Sequence, residues 1–324
     1  MLIGILKLKW GWEIRVLVAG ASGLVGRAIV DFSPKHFKLL TPSRADLDLE
    51  KCSEVASYFR REKPEAVILA AAKVGGIGAN SGAQYEFLIR NLNIQNALID
   101  AALQNQVSNF LFLGSSCVYP RMAEQPIKES SLLTSALEKT NEGYALAKIS
   151  GIKLCAAAFT EKKLNYFSLM PTNLYGNNDN YDLATSHVPA ALMRRFHEAK
   201  LKNSESVKIW GSGNVYREFM HVNDLADACW YFLQHKSVGG ELINIGTGID
   251  VTIKDFAESM AKIIGYKGQL IFDTSKPEGT PRKLLDVSKA TSLGWKSKIS
   301  LVDGLEMTYS WFMKAYSKGE IRGL

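Results

Sequence analysis

The sequence predicts an α/β fold: a doubly wound parallel sheet with a smaller α/β domain in the C-terminal half. Three observations support this. Short apolar runs alternate with helix-period segments through the first half, glycines follow the first run, and the pattern becomes irregular after residue 174. Strands that alternate with helices indicate parallel strands joined by crossover helices. The expected boundaries are 12–174 for the sheet domain, with returns at about 214–248, and 175–213 plus 249–324 for the smaller domain.

The first half contains nine predicted elements. Apolar runs rich in β-branched and aromatic residues predict strands at Ile14–Ala19, Phe37–Thr41, Ala66–Ala70, Phe110–Leu113 and Asn165–Met170. Segments with helical periodicity predict helices at Leu24–Phe32, Ser53–Glu62, Gln84–Gln104 and Asn141–Phe159. Pro64 lacks a backbone N–H and is expected to end the second helix.

The second half is less regular. Residues 171–187 are rich in Asn, Asp, Gly and Tyr, which favours a loop near a site. Helices are predicted at Val188–Lys200, Asn223–His235, Ile253–Ile264 and Leu301–Tyr316, and strands within 241–248 and at Gly268–Asp273. Asn223 or Asp224 is expected to cap its helix, and 207–222 is expected to be an irregular excursion.

Composition excludes some classes of protein and leaves others open. The 324 residues are 47% hydrophobic and 22% charged, which is ordinary globular usage and argues against long disorder. The 39 Lys and Arg exceed the 32 Asp and Glu by 7, which favours an anionic partner. Nucleic acid, a membrane surface and a phosphorylated metabolite all fit that charge, but no nucleic-acid motif or dense basic run is present.

Four cysteines are scattered without a CxxC pair, so neither a disulfide framework nor a metal site is indicated. We therefore expect a reduced, cytoplasmic chain. The apolar run in residues 1–11 is too short for a signal sequence or a membrane span, and those residues are expected to be an extension ahead of the first strand.

A glycine-rich turn follows the first strand. In Gly20-Ala21-Ser22-Gly23-Leu24-Val25-Gly26, the chain passes from strand to helix, so backbone N–H groups and the helix dipole face whatever lies over the turn. A dinucleotide pyrophosphate fits there, which makes the fold Rossmann-type. A plain tight turn is the alternative, since glycines alone are a weak signal.

Arg44 indicates which dinucleotide is bound. NAD-binding proteins usually place an acid about twenty residues beyond the turn, on the ribose 2′-OH. Here the second strand is followed by Thr41, Pro42, Ser43 and Arg44. A guanidinium suits a 2′-phosphate, so NADP(H) is favoured over NAD; the alternative is a solvated loop charge.

Tyr144 and Lys148 form a YxxxK pair, and an i, i+4 spacing places both side chains on one helix face. An ammonium nearby is expected to lower the pKa of the phenol, which is otherwise about 10. Ser115 follows the fourth strand and is expected to meet the tyrosine. The glycine turn, serine and YxxxK in this order resemble the extended short-chain dehydrogenase/reductase superfamily.

The residues after Ser115 narrow the chemistry. Sugar 4,6-dehydratases carry an Asp-Glu pair there, whereas this chain has Ser116 and Cys117. A simple 4-epimerase needs no thiol, so Cys117 requires another explanation. The plain one is a small buried hydrophobe, the usual environment of a single cysteine.

Six longer segments resemble the GDP-L-fucose synthase family, whose members are bifunctional GDP-4-keto-6-deoxy-mannose 3,5-epimerase/4-reductases. The segments are AAKVGGIGAN, LGSSCVYP, TNEGYALAKISG, MPTNLYG, REFMHVNDLADA and GTPRKLLDVS. With shorter matches such as SHV at Ser186, they span nearly the whole chain after residue 11. They are far more specific than YxxxK.

The resemblance implies a role for each matching residue. It implies a reductase triad of Ser115, Tyr144 and Lys148, and an epimerase acid–base pair of Cys117 and His187. The implied cofactor contacts are Gly20, Ser22, Gly23, Leu24, Val25, Gly26, Arg44, Leu113, Gly114, Ser115, Ser116, Lys148, Pro171, Thr172, Asn173, Leu174 and His187. Arg195, Arg217 and Lys283 are implied at the GDP diphosphate and Trp210 beside the nucleotide sugar.

The resemblance therefore implies an NADPH-dependent enzyme that acts on a GDP-sugar, without a metal ion and as a homodimer. A reductase of a related GDP-4-keto sugar, such as a 6-deoxy-heptose, with weak or absent epimerisation, shares every motif. A non-catalytic NADP-binding regulator is the third hypothesis, but such proteins can lose YxxxK, which this chain retains.

Overall fold

The computed structural model describes residues 14–235, 237–276 and 279–324. Its central element is a parallel sheet of six strands in the order β2-β1-β3-β4-β5-β9. The strands are β1 (Ile14–Ala19), β2 (Phe37–Leu40), β3 (Ala66–Leu69), β4 (Asn109–Leu113), β5 (Asn165–Pro171) and β9 (Leu242–Ile245). The order reverses between β1 and β3, so a crevice forms where the carboxyl ends of these strands diverge.

Helices connect the strands and cover both faces of the sheet. In the first half they are α1 (Leu24–Asp31), α2 (Cys52–Glu62), α3 (Ile77–Gly82), α4 (Gln84–Gln104) and α5 (Glu142–Lys162). In the second half they are α6 (Val188–Leu201), α7 (Val222–His235), α8 (Ile253–Ile264), α9 (Ser288–Ser292) and α10 (Leu301–Lys318). No helix in the described ranges is long and apolar enough to cross a membrane.

Strand β4 shows how the two faces are filled. Its residues are all buried, and alternate side chains enter opposite clusters: Phe110 and Phe112 pack with α4 and α5, while Leu111 and Leu113 pack with α1 and α7. A strand buried on both sides needs an apolar residue at every position. The apolar run FLFL that follows Asn109 therefore suits a position at the centre of the sheet.

The second half adds two smaller sheets. Strand β8 (Tyr216–His221) pairs with β6 (Asn173–Tyr175), β10 (Asp250–Thr252) and β12 (Arg282–Lys283), and β7 (Ser206–Trp210) pairs with β11 (Gln269–Asp273). A third hydrophobic cluster lies among α6, α8 and α10. The predicted 214–248 return contributes β8 to the smaller sheet and β9 to the large one; the domain boundaries stay a prediction.

The parallel α/β fold is confirmed, and several elements match their predicted bounds to the residue: β1, α4 and α8. Three expectations were wrong. Residues 207–222 contain strands β7 and β8, residues 171–187 contain β6, and Asn223 and Asp224 lie inside α7, which begins at Val222. The predicted extension at residues 1–11 lies outside the described residues.

Glu218 joins three segments of the second half. Its side chain is fully buried on β8, and its Oε1 accepts hydrogen bonds from the backbone N–H groups of Thr247 at 2.6 Å and Gly248 at 2.8 Å. Its Oε2 accepts one from Leu285 N–H at 3.0 Å. Burial raises the pKa of Glu218, and these donors offset part of that rise. The carboxylate thus ties the turn after β9 and the segment after β12 to β8.

We expect Glu218→Gln to lower the free energy of unfolding by about 1–3 kcal/mol, because a buried amide must then present N–H to a backbone donor. Urea denaturation followed by circular dichroism measures it. The matched control is Glu258→Gln on α8, where the exposed carboxylate lies 4.0 Å from Lys254 Nζ; its effect should stay within about 0.5 kcal/mol. Equal effects from both variants would contradict a structural role for Glu218.

Candidate active site

The turn between β1 and α1 is shaped to hold a ligand by its backbone. Gly20 has a φ of +91°, and a Cβ on Gly26 would lie 2.0 Å from the Gly20 carbonyl oxygen. No side chain caps α1, whose N-cap residue is Gly23. The first N–H groups of the helix therefore remain available to an anion, and the turn fits the pyrophosphate of a dinucleotide.

The other residues predicted in this turn occupy its rim and its base. Ser22 is exposed at the turn, whereas Leu24 and Val25 open α1 and pack partly into the cluster that α1 shares with α7. The serine can contact a ligand, and the two apolar residues hold the helix against the sheet.

Arg44 lies in the loop after β2 and is largely exposed, at 78% of its side-chain surface. Its guanidinium lies 3.8 Å from Glu50, whose carboxylate also accepts a 2.6 Å bond from Arg90. Because Glu50 already pairs with Arg90, this carboxylate does not balance the charge of Arg44 at the end of β2. That is where a 2′-phosphate would approach.

The carboxyl ends of β4 and β5 bring the next group of predicted residues together. Leu113 ends β4, and the N–H of Gly114 bonds the Leu169 carbonyl at 2.9 Å, which keeps the two strand ends side by side. Ser115 and Ser116 then begin a short 3₁₀ turn. Pro171 ends β5, and Thr172 and Asn173 both donate to the Glu218 carbonyl, at 3.1 and 2.8 Å. Leu174 follows on β6 and packs into the core.

Tyr144 and Lys148 lie on one face of α5, as their spacing predicts, with Nζ 5.9 Å from the tyrosine ring centre. Helix α5 lies close to β4 because Gly151 has no side chain; a Cβ there would lie 2.3 Å from the Phe112 ring. Lys148 therefore reaches across the strand and donates to the Leu113 carbonyl at 2.8 Å. Ser115 hydrogen-bonds Tyr144, so the three members of the triad are assembled.

Burial dominates the acid–base properties of this group. It raises the pKa of Tyr144, and the charge of Cys117 raises it further, while the Ser115 bond lowers it. It lowers the pKa of Lys148 to about 7, since this residue is only 4% exposed. The direction for Tyr144 is opposite to the one expected from the sequence. Near neutrality this side chain is a phenol, which suits a proton donor.

Cys117 lies in the 3₁₀ turn after β4, partly exposed in a small cleft. Its Sγ lies 3.6 Å from Lys283 Nζ, which donates to it. The backbone N–H of Cys117 donates to Ser115 Oγ at 3.3 Å, so thiol and serine share one turn. Cys117 is thus not the fully buried small hydrophobe of the plain interpretation.

His187 immediately precedes α6 and is its N-cap residue. Part of its surface is exposed to solvent, but neighbouring protein atoms desolvate the imidazole. This desolvation lowers the pKa of the imidazole, and the charge of Lys283 lowers it further. It is therefore neutral near pH 7. Lys283 thus interacts with both members of the predicted acid–base pair, because it contacts Cys117 and its charge acts on His187.

The loop that leads to His187 is held from the end of the chain. The Tyr181 N–H donates to the Arg322 carbonyl at 2.9 Å, and Arg194 Nη1 donates to the carbonyls of Tyr181 at 2.9 Å and Gly323 at 2.8 Å. Gly323 has a φ of +86°, and a Cβ there would lie 2.5 Å from the Asp182 nitrogen. The C-terminal residues therefore fix the path of the His187 loop.

The residues predicted to bind the nucleotide diphosphate are only partly brought together. Arg217 and Lys283 are register partners on β8 and β12, so they lie side by side. Arg195 projects from α6 with Nη1 3.4 Å from the Lys208 carbonyl, and burial lowers its pKa. Trp210 is 55% exposed at the end of β7, with Lys276 Nζ 5.6 Å from its ring centre. Lys276 thus lies over one face of the ring, while more than half of the Trp210 surface stays exposed.

The cleft beside Cys117 also contains residues that the sequence analysis did not single out. Arg121, Asn141 and Arg282 line it together with Cys117 and Lys283. Arg121 is three residues beyond Val118 in the motif after β4, Asn141 precedes α5, and Arg282 precedes Lys283. Arg121 directly follows the segment LGSSCVYP, Asn141 lies in TNEGYALAKISG and Arg282 lies in GTPRKLLDVS, so position in or beside those segments was the available signal.

Comparison with known proteins gives one consistent result. Residues 16–246 match the NAD dependent epimerase/dehydratase family. The chain is 52% identical over 302 residues to GDP-L-fucose synthase 1 of Arabidopsis thaliana, covering 93% of both chains. It is 47% identical over 310 residues to the GDP-L-fucose synthase of Escherichia coli strain K12, covering 93% of this chain and 97% of that one.

A solved structure with a related fold is a GDP-mannoheptose C4 reductase from Campylobacter jejuni with NADP bound. It is 36% identical, has a TM-score of 0.84, and the match covers 93% of this chain and 98% of that one. On these matches and this geometry, the chain belongs to the NAD dependent epimerase/dehydratase family, in the branch that contains the GDP-L-fucose synthases.

Proposed function

We propose that this chain is an NADPH-dependent 3,5-epimerase and 4-reductase that converts GDP-4-keto-6-deoxy-D-mannose to GDP-L-fucose. The observation that carries the proposal is the proximity of two groups of acid–base residues. The Ser115–Tyr144–Lys148 group adjoins Cys117, which is linked through Lys283 to His187. A simple reductase needs only the first group, whereas epimerisation requires a second acid–base pair.

In the reductase half, bound NADPH supplies the hydride for C4 of the sugar. Tyr144 gives its proton to the C4 oxygen, as its raised pKa suits. Ser115 hydrogen-bonds Tyr144 and holds the phenol at the strand end. Lys148 is fixed by its bond to the Leu113 carbonyl and presents a second donor near the ring.

In the epimerase half, Cys117 and His187 exchange protons on opposite faces of the ring at C3 and C5. A carbon beside a ketone loses a proton readily because the electron pair passes to the carbonyl oxygen. Tyr144 hydrogen-bonds that oxygen and stabilises its developing charge. Unperturbed thiol and imidazole groups have pKa values of about 8.5 and 6.5, so such a pair operates near neutrality.

The binding residues divide between the two ligands. The glycine turn holds the cofactor pyrophosphate, Arg44 meets its 2′-phosphate, and the residues from Leu113 to Ser116 and from Pro171 to Leu174 surround the nicotinamide end. Arg195, Arg217 and Lys283 meet the GDP diphosphate, and Trp210 stacks beside the nucleotide sugar. These contacts account for part of the excess positive charge.

The alternative is a C4 reductase of a related GDP-4-keto sugar, such as a 6-deoxy-heptose. The Campylobacter jejuni GDP-mannoheptose C4 reductase, with its matching fold, favours this alternative. The two functions differ in whether the Cys117–His187 pair works on the ring.

The chain is further proposed to act as a homodimer in the cytoplasm. Leu146 and Leu154, eight residues apart on α5, are 44% and 38% exposed, which suits pairing of α4 and α5 between two copies. Static light scattering should then give about twice 35.8 kDa, and the mass of a single chain would contradict the dimer. All four cysteines are free, which suits a reducing compartment.

The proposed function is tested by incubating the protein with NADPH and GDP-4-keto-6-deoxy-D-mannose in D₂O. We expect NADPH oxidation, a GDP-L-fucose product by NMR, and deuterium at C3 and C5. NADPH oxidation without deuterium at these carbons would contradict the epimerase half and support the alternative. No oxidation would exclude this substrate.

Tyr144→Phe serves as the control in that experiment. It removes the proton donor for the C4 oxygen and should slow reduction by about 100-fold or more, while the sheet and the cofactor turn stay intact. Normal reduction by this variant would require another donor and would contradict the assignment of Tyr144.

We expect Arg44→Glu to reduce the preference for NADPH over NADH by about tenfold or more, because a carboxylate would repel the 2′-phosphate. Steady-state kcat/KM for both cofactors measures it. Arg61→Glu on α2, which replaces another exposed arginine, is the control. An unchanged cofactor ratio in Arg44→Glu would show that Arg44 is a solvated loop charge.

A further inference from the structure

We propose that Lys283 is a positioning residue of the epimerase half: its ammonium holds and stabilises the Cys117 thiolate that removes the ring proton. The inference rests on the proposed function and goes beyond the diphosphate contact assigned to Lys283 above. It stands on the 3.6 Å contact between Lys283 Nζ and Cys117 Sγ, a distance at which nitrogen donates to sulfur. A neighbouring cation stabilises the thiolate, which is the form of cysteine that can accept a proton.

The backbone that follows Lys283 is fixed. The N–H of Leu284 donates to Gln125 Oε1 at 2.8 Å, and the N–H of Ile127 donates to the Leu284 carbonyl at 2.8 Å. Leu285 donates to the buried Glu218 carboxylate at 3.0 Å. Lys283 therefore extends from a strand tied to the segment that follows Cys117, so their separation does not depend on a mobile surface loop.

The other charged groups around the cleft are already engaged. Arg121 Nε lies 3.2 Å from Glu138 Oε2, and Arg282 Nε lies 2.6 Å from Asp250 Oδ2. Tyr144 faces Cys117 from α5, and the two interact electrostatically. Arg121 and Arg282 each pair with a carboxylate, whereas Lys283 contacts the Cys117 thiol.

Lys283 also acts on His187. Its positive charge contributes to the lowered pKa of that imidazole. Because His187 is neutral near pH 7, it must take up a proton from solvent before it can deliver one, and the lower pKa then makes the protonated imidazole a stronger acid toward the enolate. One ammonium thus favours the basic form of the thiol and strengthens the acid on the other side.

The proton balance follows. The thiolate takes the hydrogen from C3 or C5 as a proton and becomes the thiol, and the C–H electron pair passes to the C4 oxygen as an enolate. His187 delivers a proton drawn from solvent to the opposite face of the carbon. The thiol returns its proton to solvent, so no net charge or electron is gained.

The test uses alkylation of Cys117 in the full-length protein without substrate. Cys52 is exposed and Cys155 and Cys229 are buried, so a Cys52→Ser background leaves Cys117 as the accessible thiol among the four. Iodoacetamide is the probe because it is neutral and Lys283 cannot attract it by charge. Mass spectrometry of the Cys117 peptide follows its rate at pH 7.

We expect Lys283→Met to slow this alkylation about tenfold, as loss of a cation beside a thiolate predicts. Lys283→Arg keeps the charge and should restore most of the rate. Lys254→Gln, on exposed α8, is the control and should leave the rate unchanged. Methionine keeps most of the lysine side chain and lacks only its ammonium, so a purely steric role predicts an unchanged or slightly faster rate. An unchanged or faster rate in Lys283→Met would overturn the proposal.

A second measurement separates this role from diphosphate binding. At saturating substrate, Lys283→Met should reduce deuterium incorporation at C3 and C5 about tenfold more than NADPH oxidation of a sugar already epimerised at both carbons. Equal losses, or a change in KM alone, would overturn the proposal. Failure of the proposed function would appear separately, as absence of turnover by the parent protein, and the alkylation result would still decide the role of Lys283.

Discussion

The buried carboxylate of Glu218 is the interaction on which the two halves of the site depend. It accepts backbone hydrogen bonds from the turn after β9 and from the segment after β12, while its own carbonyl receives Thr172 and Asn173. One residue therefore fixes the end of β5 and the strand that carries Lys283. A buried charge is costly unless several donors surround it, so these segments are required to meet at one point.

Burial also shifts the pKa values of the predicted catalytic residues Tyr144 and Lys148. The close approach of α5 to β4 removes water from Lys148 and Tyr144 together, so both move toward their neutral forms near pH 7. The same approach lets the lysine bond a strand carbonyl and the tyrosine bond Ser115. Burial thus favours the neutral forms of Lys148 and Tyr144, and their hydrogen bonds fix their positions. Tyr144 remains a phenol that can donate a proton, whereas a solvated tyrosine–lysine pair would be more mobile.

Much of the fold could be predicted because its signals are local. The long periodic segment of α4 and the apolar run Phe110–Leu113 of β4 are signals carried by neighbouring residues alone. The strands β7 and β8 were missed because their partners lie far along the chain: β7 pairs with β11, and β8 with β10 and β12. Their stability comes from pairing that short glycine-interrupted sequences do not reveal.

The residues of the site also divide into those with a local sequence signal and those that meet only through long-range contacts. The order of Gly20, Ser115, Tyr144 and Lys148 is a local signature, and the structure assembles the last three. The contact of Cys117 with Lys283 joins residues 166 positions apart, and no spacing rule predicts it. The direction of the Tyr144 pKa was missed for a related reason, because helix spacing shows the lysine but not the loss of water.

The residues proposed for epimerisation and those proposed for reduction are held in part by different segments of the chain. Ser115, Tyr144 and Lys148 are held by the central sheet and α5, whereas His187 lies on a loop held through Arg322 and Gly323 at the far end of the chain. Changes in that tail can alter the proposed acid, His187, while the residues proposed for hydride transfer keep their support. Such a scaffold can gain, weaken or lose epimerisation in small steps, and reductases of different GDP-sugars can share one sheet.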